Sequence, residues 1–220
     1  MQDIIKKNLL QIQEEIAPSK PNIIAVTKYF DEQAIIDCYA VGLREFGESR
    51  VVDAIGKIEK LSDEIRQNSK FHFIGHLQTN KVKKVVAYFD LIHSVDSFKL
   101  AEVISNEAGQ LDKVQNILLQ YSNAGEIQKT GFSKQEIFEV FEQIQNLSNV
   151  NILGLMNMAP FGADEEELKK LFADVVEVKK SLEEKFNCNL YEVSMGMSLD
   201  YKIAAMQGAT ILRVGRKLYK

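Results

Sequence analysis

Residues 22–30 read NIIAVTKYF, and both this run and the residues just after it bear on the fold. Five residues of buried-strand chemistry, Ile23, Ile24, Ala25, Val26 and Thr27, lead into Lys28, whose ammonium cannot sit comfortably in a core. The continuation VTKYFDEQ contains no glycine, so this first strand does not open the G-x-G-x-x-G turn of an open dinucleotide-binding sheet. A lysine closing a strand fits a barrel, where the carboxyl ends of the strands line the active end.

Seven further apolar runs lie at 45–49, 71–75, 91–97, 116–123, 151–158, 191–196 and 211–215. Segments of helical periodicity separate them, among them 31–41, 77–89, 98–109, 133–146 and 164–186. The last carries a stripe of Leu168, Leu171, Phe172, Val175, Leu182 and Phe186, with Asp164 and Glu167 suited to a capping box. Its acidic start reads as a helix-dipole feature and not as a binding patch. Eight strands alternating with helices, without a linker between them, predict an α/β chain folded as a single-domain (β/α)8 TIM barrel over 1–220. The alternative is an open doubly wound sheet. The barrel is favoured by the missing glycines and because five residues follow Gly215, as expected of a fold that ends at its eighth strand. The amphipathic start, with Ile5, Leu9, Ile12 and Ile16 on one face, is expected to cover one end of the barrel.

Of the 220 residues 45% are apolar and 26% charged, an ordinary soluble composition. The formal net charge of −4 arises from interspersed acids and bases with no basic stripe, which argues against nucleic acid as a partner. The amino terminus lacks an unbroken apolar signal core, and no run approaches the roughly 18 apolar residues needed to cross a bilayer. A cytoplasmic protein without membrane contact is expected. Cys38 and Cys188 stand outside any CxxC or Cys/His cluster and read as free thiols, Cys38 as a small core residue.

The strand ends carry the chemistry. They read Lys28, FGESR, GHLQTNK, NAGEIQKTGF, MNMAPFG, SMGMS and RVGRK. Barrels often hold phosphate on the loops after strands seven and eight, where small residues let backbone N–H groups approach an anion. Ser194 and Gly196 offer a hydroxyl and an open backbone there, and Gly215 with the Arg216 N–H would complete the cradle. The competing reading is that the glycines only permit tight turns and Ser198 caps the following helix. A desolvated strand-end lysine favours the neutral amine that attacks an aldehyde, though Lys28 alone could equally reach out to solvent. Phosphate cradle and nucleophilic lysine together describe a site for pyridoxal 5′-phosphate. Arg213 shares side-chain parity with Gly215, so both face one side of the strand. A lumen-facing arginine against the pyridine nitrogen would keep that nitrogen unprotonated and weaken the ring as an electron sink, which suits a carrier better than a decarboxylase.

The segments AVTK, FGES, FHFIGHLQTNK, GLMNMAPFG, SMGMSLDYKIAAMQGAT and LRVGRKLY, in order across nearly the whole chain, resemble the signature segments of the pyridoxal phosphate homeostasis proteins. The resemblance implies a barrel like the amino-terminal domain of alanine racemase, the fold type III architecture of pyridoxal phosphate proteins. It also implies a role in vitamin B6 and amino-acid homeostasis without established catalysis. By motif, Lys28 falls at the Schiff-base lysine, Ser194, Gly215 and Arg216 where phosphate is held, and Arg213 at the arginine facing the pyridine nitrogen. Met158 falls against the ring, and Asn80 in the same mouth. Two departures stand out: the family's SKTKP and FGEN are TKYFD and FGES here, so a second lysine is missing and Ser49 replaces an asparagine. The family also continues past the eighth strand with a further helix segment where this chain ends LYK, which leaves open how the barrel's last edge is covered.

The expected function is therefore a carrier or buffer holding pyridoxal 5′-phosphate as an internal aldimine on Lys28, with apo pyridoxal phosphate enzymes as recipients and a monomeric state. Racemization needs a second base on the opposite cofactor face, and the chain is expected to stop before a domain that could supply it. A weak racemase remains one alternative and a cofactor-free Schiff-base aldolase the other. No metal site is expected: His72 and His76 approach along a strand with Gly75 between them and lack the glutamate of HExxH, so His72 reads as a hydrogen-bonded barrel histidine, and His93 is similarly unsupported as a ligand.

Overall fold

The computed structural model describes residues 1–123 and 130–220, and in it the apolar runs become eight parallel strands. In chain order the elements are α1 (Gln2–Glu15), β1 (Asn22–Val26), α2 (Glu32–Ala40), β2 (Glu45–Glu48), α3 (Val51–Lys60), α4 (Asp63–Gln67), β3 (Lys70–Phe73), α5 (Val82–Tyr88) and β4 (Leu91–Val95). The chain continues through α6 (Phe98–Gly109), β5 (Gln115–Gln120), α7 (Lys134–Gln145), β6 (Val150–Met156), α8 (Glu165–Phe186), β7 (Glu192–Ser194), α9 (Tyr201–Met206), β8 (Ile211–Val214) and α10 (Arg216–Tyr219). A 3₁₀ turn at Thr79–Lys81 precedes α5. Each strand pairs with its chain neighbours and β8 returns to β1, with Ile24 opposite Arg213, so the sheet closes into a barrel and is not open. The expected 123–132 loop lies largely outside the described residues.

Every apolar run outlasts its strand by one to three residues. The surplus residues leave the regular ladder while still donating to the neighbouring strand, as Thr27 N–H does to Gly47 O and Ile74 N–H to Glu48 O. These are the residues that reach the mouth. Strands buried on both faces read as near-continuous apolar runs, and β4 is buried throughout. Ile24, Leu91, Leu118, Met156 and Ile211 pack together as a small lumen cluster, separate from the larger core between the sheet and the helices.

The stripe on α1 is buried as its spacing predicts, but α1 packs against α2 and α10. It therefore fills the outer layer at the β8–β1 seam and does not cap an end of the barrel. Asn8 Nδ2 donates to the carbonyls of Leu218 and Lys220, at 3.1 and 2.9 Å, tying α1 to α10 and covering the edge after β8. At α8 only half of the expected capping box forms: Asp164 accepts from Glu167 N–H at 2.9 Å. The reciprocal box stands at α7, between Ser133 and Glu136. Both cysteines are free, and Cys38 is fully buried with its sulfur 3.5 Å from the Tyr219 hydroxyl. Among the described residues no helix is long and apolar enough to cross a membrane.

Candidate functional site

Strand parity sorts the residues at the carboxyl end. Ile211 lies in the lumen cluster, so Arg213, two residues on, faces the lumen as well. On β1, Ile24 faces the lumen, while the Thr27 hydroxyl points toward the helix layer, where it donates to Glu48 Oε1 at 2.6 Å. Lys28 follows at the carboxyl end of β1, in a turn closed by Phe30 N–H donating to Thr27 O at 2.9 Å. Lys28 is half-buried, with its ammonium 5.1 Å from the centroid of the Tyr29 ring.

Inside the lumen, side chains from β2, β3, β4, β7 and β8 form a polar chain. Arg213 Nη1 donates to Ser194 Oγ at 2.7 Å, and Nη2 donates to the Asn157 carbonyl at 2.8 Å. Ser194 Oγ stands 2.9 Å from His93 Nδ1, His93 Nε2 stands 3.0 Å from His72 Nδ1, and His72 Nε2 faces Glu45 Oε2 at 3.6 Å. One ordering of the hydrogens keeps lone pairs from facing each other: arginine to serine, serine to His93, His93 to His72, and the His72 Nε2–H toward the Glu45 carboxylate. That ordering needs both imidazoles neutral. Burial, reinforced by the charge of Lys70, pushes His72 down to about 3. Burial, then the proximity of His72 and of the Arg213 charge, holds His93 well below the ordinary histidine range. Burial also lowers Arg213 to about 10 against the opposing influence of Asp200, so the guanidinium remains cationic at neutral pH. Among the described residues no carboxylate lies within ion-pair distance of it.

The loops after β7 and β8 meet over this chain. Gly196 has φ +86°, and a Cβ there would come within 2.5 Å of Ala204 Cβ, so both the turn and the close approach require glycine. Its carbonyl accepts from Arg213 N–H at 3.0 Å. Ser198 Oγ accepts from the Gly215 and Lys217 amides, each at 3.3 Å, at the start of α10. Thus Ser198 serves α10, while Asp200 stands at the N-cap of α9.

Of the residues predicted from sequence, Ser194 and Arg213 are joined directly and Gly196 touches Arg213 through its backbone. Ser194 is the residue expected to offer a hydroxyl to a phosphate. Its hydroxyl is fully buried, bonded to Arg213 and His93, and the hydroxyl at the Gly215 amide is that of Ser198. Arg216 extends into solvent, Met158 is 37% exposed on the rim after β6, and Asn80 is exposed on the 3₁₀ turn after β3. The sequence reading of His72 as a hydrogen-bonded barrel histidine holds, while the part of His93 and the Asn157 carbonyl were not foreseen. The lumen parity of His72 with Ile74 and of His93 with Leu91 was the available signal for the pair.

The family model described as "Alanine racemase, N-terminal domain" matches residues 2–220. A pyridoxal phosphate homeostasis protein of Aquifex aeolicus (strain VF5) is 36% identical over 197 residues, covering 90% of this chain and 85% of its own. The chain belongs to the pyridoxal phosphate homeostasis protein family. One solved structure similar to it is PipY of Synechococcus elongatus PCC7942 with PLP bound, at TM-score 0.90 and 37% identity, covering 98% of this chain and 100% of that one. An alanine racemase from Clostridium difficile 630 superposes at TM-score 0.77 with 15% identity, covering 99% of this chain and 56% of that one, which shows the shared barrel alone. This family member thus has the racemase-like fold with a fixed cation in its lumen.

Proposed function

We propose that this protein binds pyridoxal 5′-phosphate through a Schiff base on Lys28 and acts in the cytoplasm as a carrier or buffer in vitamin B6 homeostasis, delivering the cofactor to apo enzymes without robust catalysis. The observation that carries the reading is Arg213, a buried cation held by a serine and a carbonyl, without a carboxylate partner among the described residues. Such a group calls for an acceptor or anion, and the cofactor offers a pyridine nitrogen.

The rest of the mouth fits the same ligand. Lys28 supplies an amine for the aldehyde, which would add to the carbonyl with loss of water. The Arg216 amide and the hydroxyl hydrogen of Ser198, whose oxygen accepts from the Gly215 and Lys217 amides, would offer donors for a phosphate beside the tight turn at Gly196. Met158 and Asn80 would form the outer wall. When bound, the cofactor would supply an electron-accepting ring, and a guanidinium donating to its pyridine nitrogen would keep that nitrogen unprotonated, which weakens the ring as an electron sink and favours storage over turnover. The PLP-bound relative supports the ligand assignment.

The test is a visible absorption spectrum of the purified protein with added pyridoxal 5′-phosphate, before and after borohydride, followed by mass analysis of the peptide containing residue 28. A coloured protein with reduced cofactor fixed on Lys28 is expected. A protein that stays colourless would overturn the carrier reading in favour of a cofactor-free lysine aldolase.

A further inference from the structure

Behind Lys28, on the helix-layer side of the sheet, lies a buried ion pair that cofactor binding does not use. The Lys57 ammonium, on α3, donates to Glu48 Oε1 and, at 2.9 Å, to the Thr27 carbonyl. The Thr27 hydroxyl donates to the same Glu48 oxygen at 2.6 Å. Glu48 is 1% exposed and Lys57 6%. Thr27 immediately precedes Lys28, and its carbonyl also accepts the Phe30 N–H at 2.9 Å, closing a turn with Lys28 at its second position. Its own N–H donates to Gly47 O at 3.1 Å. Amide, carbonyl and hydroxyl of the residue before the lysine are therefore all held.

Stability alone is a poor reason for this arrangement. Burying two charges costs desolvation that their attraction only partly offsets, and an apolar pair of similar volume often serves as well or better. Glu48 Oε2 is moreover buried without a partner, a loss that an apolar pair would avoid. The bonds that an apolar pair could not supply are those to Thr27.

We propose that Glu48 and Lys57 are positioning residues for Lys28: they lock the 27–30 turn so that its amine is presented to the mouth in one orientation. The inference rests on the reading of Lys28 as the attachment point. Freed from the pair, the turn samples several conformations, and the amine meets an aldehyde in the right geometry less often. The noncovalent part of the site, on β7, β8 and α10, makes no hydrogen bond to the pair among the described residues, and the turn meets it through Phe30, whose ring centroid lies 4.3 Å from that of Tyr219 on α10.

The experiment compares the wild type with the double variant Glu48→Leu/Lys57→Met, which removes both charges at once. Attachment of pyridoxal 5′-phosphate to Lys28 is followed by borohydride trapping and peptide mass. Binding of pyridoxine 5′-phosphate, which has an alcohol in place of the aldehyde, reports the noncovalent site separately, and circular dichroism reports folding. The expected result is attachment slowed by about 10- to 100-fold with pyridoxine 5′-phosphate affinity within about two-fold of wild type. Wild-type attachment in the folded variant would overturn the proposal, as would an equal loss of attachment and of pyridoxine 5′-phosphate binding, which marks a general structural role. If the double variant does not fold, Thr27→Val deletes only the hydroxyl contact. It is expected to slow attachment several-fold, and an unchanged rate would overturn the proposal. Wild-type protein unlabelled at Lys28 would instead sink the attachment reading itself.

Discussion

Arg213 and Ser194 are joined by a 2.7 Å hydrogen bond from Nη1 to Oγ, and that one hydroxyl links the buried guanidinium to two neutral histidines. Ser194→Ala would leave a guanidinium hydrogen and His93 Nδ1 without this partner in a buried lumen. A loss of roughly 1–3 kcal/mol is expected. Urea unfolding of the variant and wild type measures it, and an unchanged midpoint would mean that water replaces the hydroxyl.

The histidine pair makes stability depend on pH. Both folded values lie below the ordinary 6.5, that of His72 at about 3, so the unfolded chain binds more protons between these limits. The contribution is fully present above about pH 6.5 and is lost as pH falls toward 3, at up to about 1.4 kcal/mol per pH unit for each histidine. Most carboxylates remain ionised between pH 6.5 and 5, so a falling melting temperature in that window reports the histidines. The slope should shrink in His72→Phe, and an equal slope would assign the effect elsewhere.

Ser198 serves the start of α10, where its hydroxyl meets the Gly215 and Lys217 amides. Ser198→Ala is expected to cost about 1 kcal/mol as a lost cap. It should also weaken binding of pyridoxal 5′-phosphate more than that of unphosphorylated pyridoxal. Titration with both compounds checks this, and an equal loss for the two would remove Ser198 from the phosphate site.

Lys28→Ala removes the amine while leaving Arg213 and the loops after β7 and β8 untouched. The expected outcome is no borohydride-stable adduct and a weaker, reversible association seen by equilibrium dialysis. Adduct formation at another lysine with undiminished affinity would relocate the attachment point.

The candidates for this site were legible in the chain. Lys28 stands out because an ammonium closes an apolar run, and Arg213 because it shares parity with Gly215 on a strand, and the structure places Arg213 in the lumen. Ser194 shows the limit of the same logic. Parity assigns a residue to the lumen but not to a partner, and in the structure this hydroxyl meets Arg213 and His93 while Ser198 meets the Gly215 and Lys217 amides. His72 reads from the sequence as a hydrogen-bonded barrel histidine and the structure bears this out, but its partner His93 lies 21 residues away and the sequence does not name it. The cover over β8 was likewise hidden, since Asn8 reaches Leu218 from 210 residues away.

Sequence alone determined the order and type of the elements and which strand ends would carry polar chemistry. Burial repeats with the local period of a helix or strand, and that period is written in neighbouring residues. The tertiary structure decided which of those groups meet. Closure of the barrel set the register of Ile24 against Arg213, brought four strands' side chains into the Arg213–Ser194–His93–His72 chain, and put Lys57 of α3 against Thr27. Such lateral contacts depend on strand stagger and helix packing, which act between distant segments and leave no periodic trace in either one.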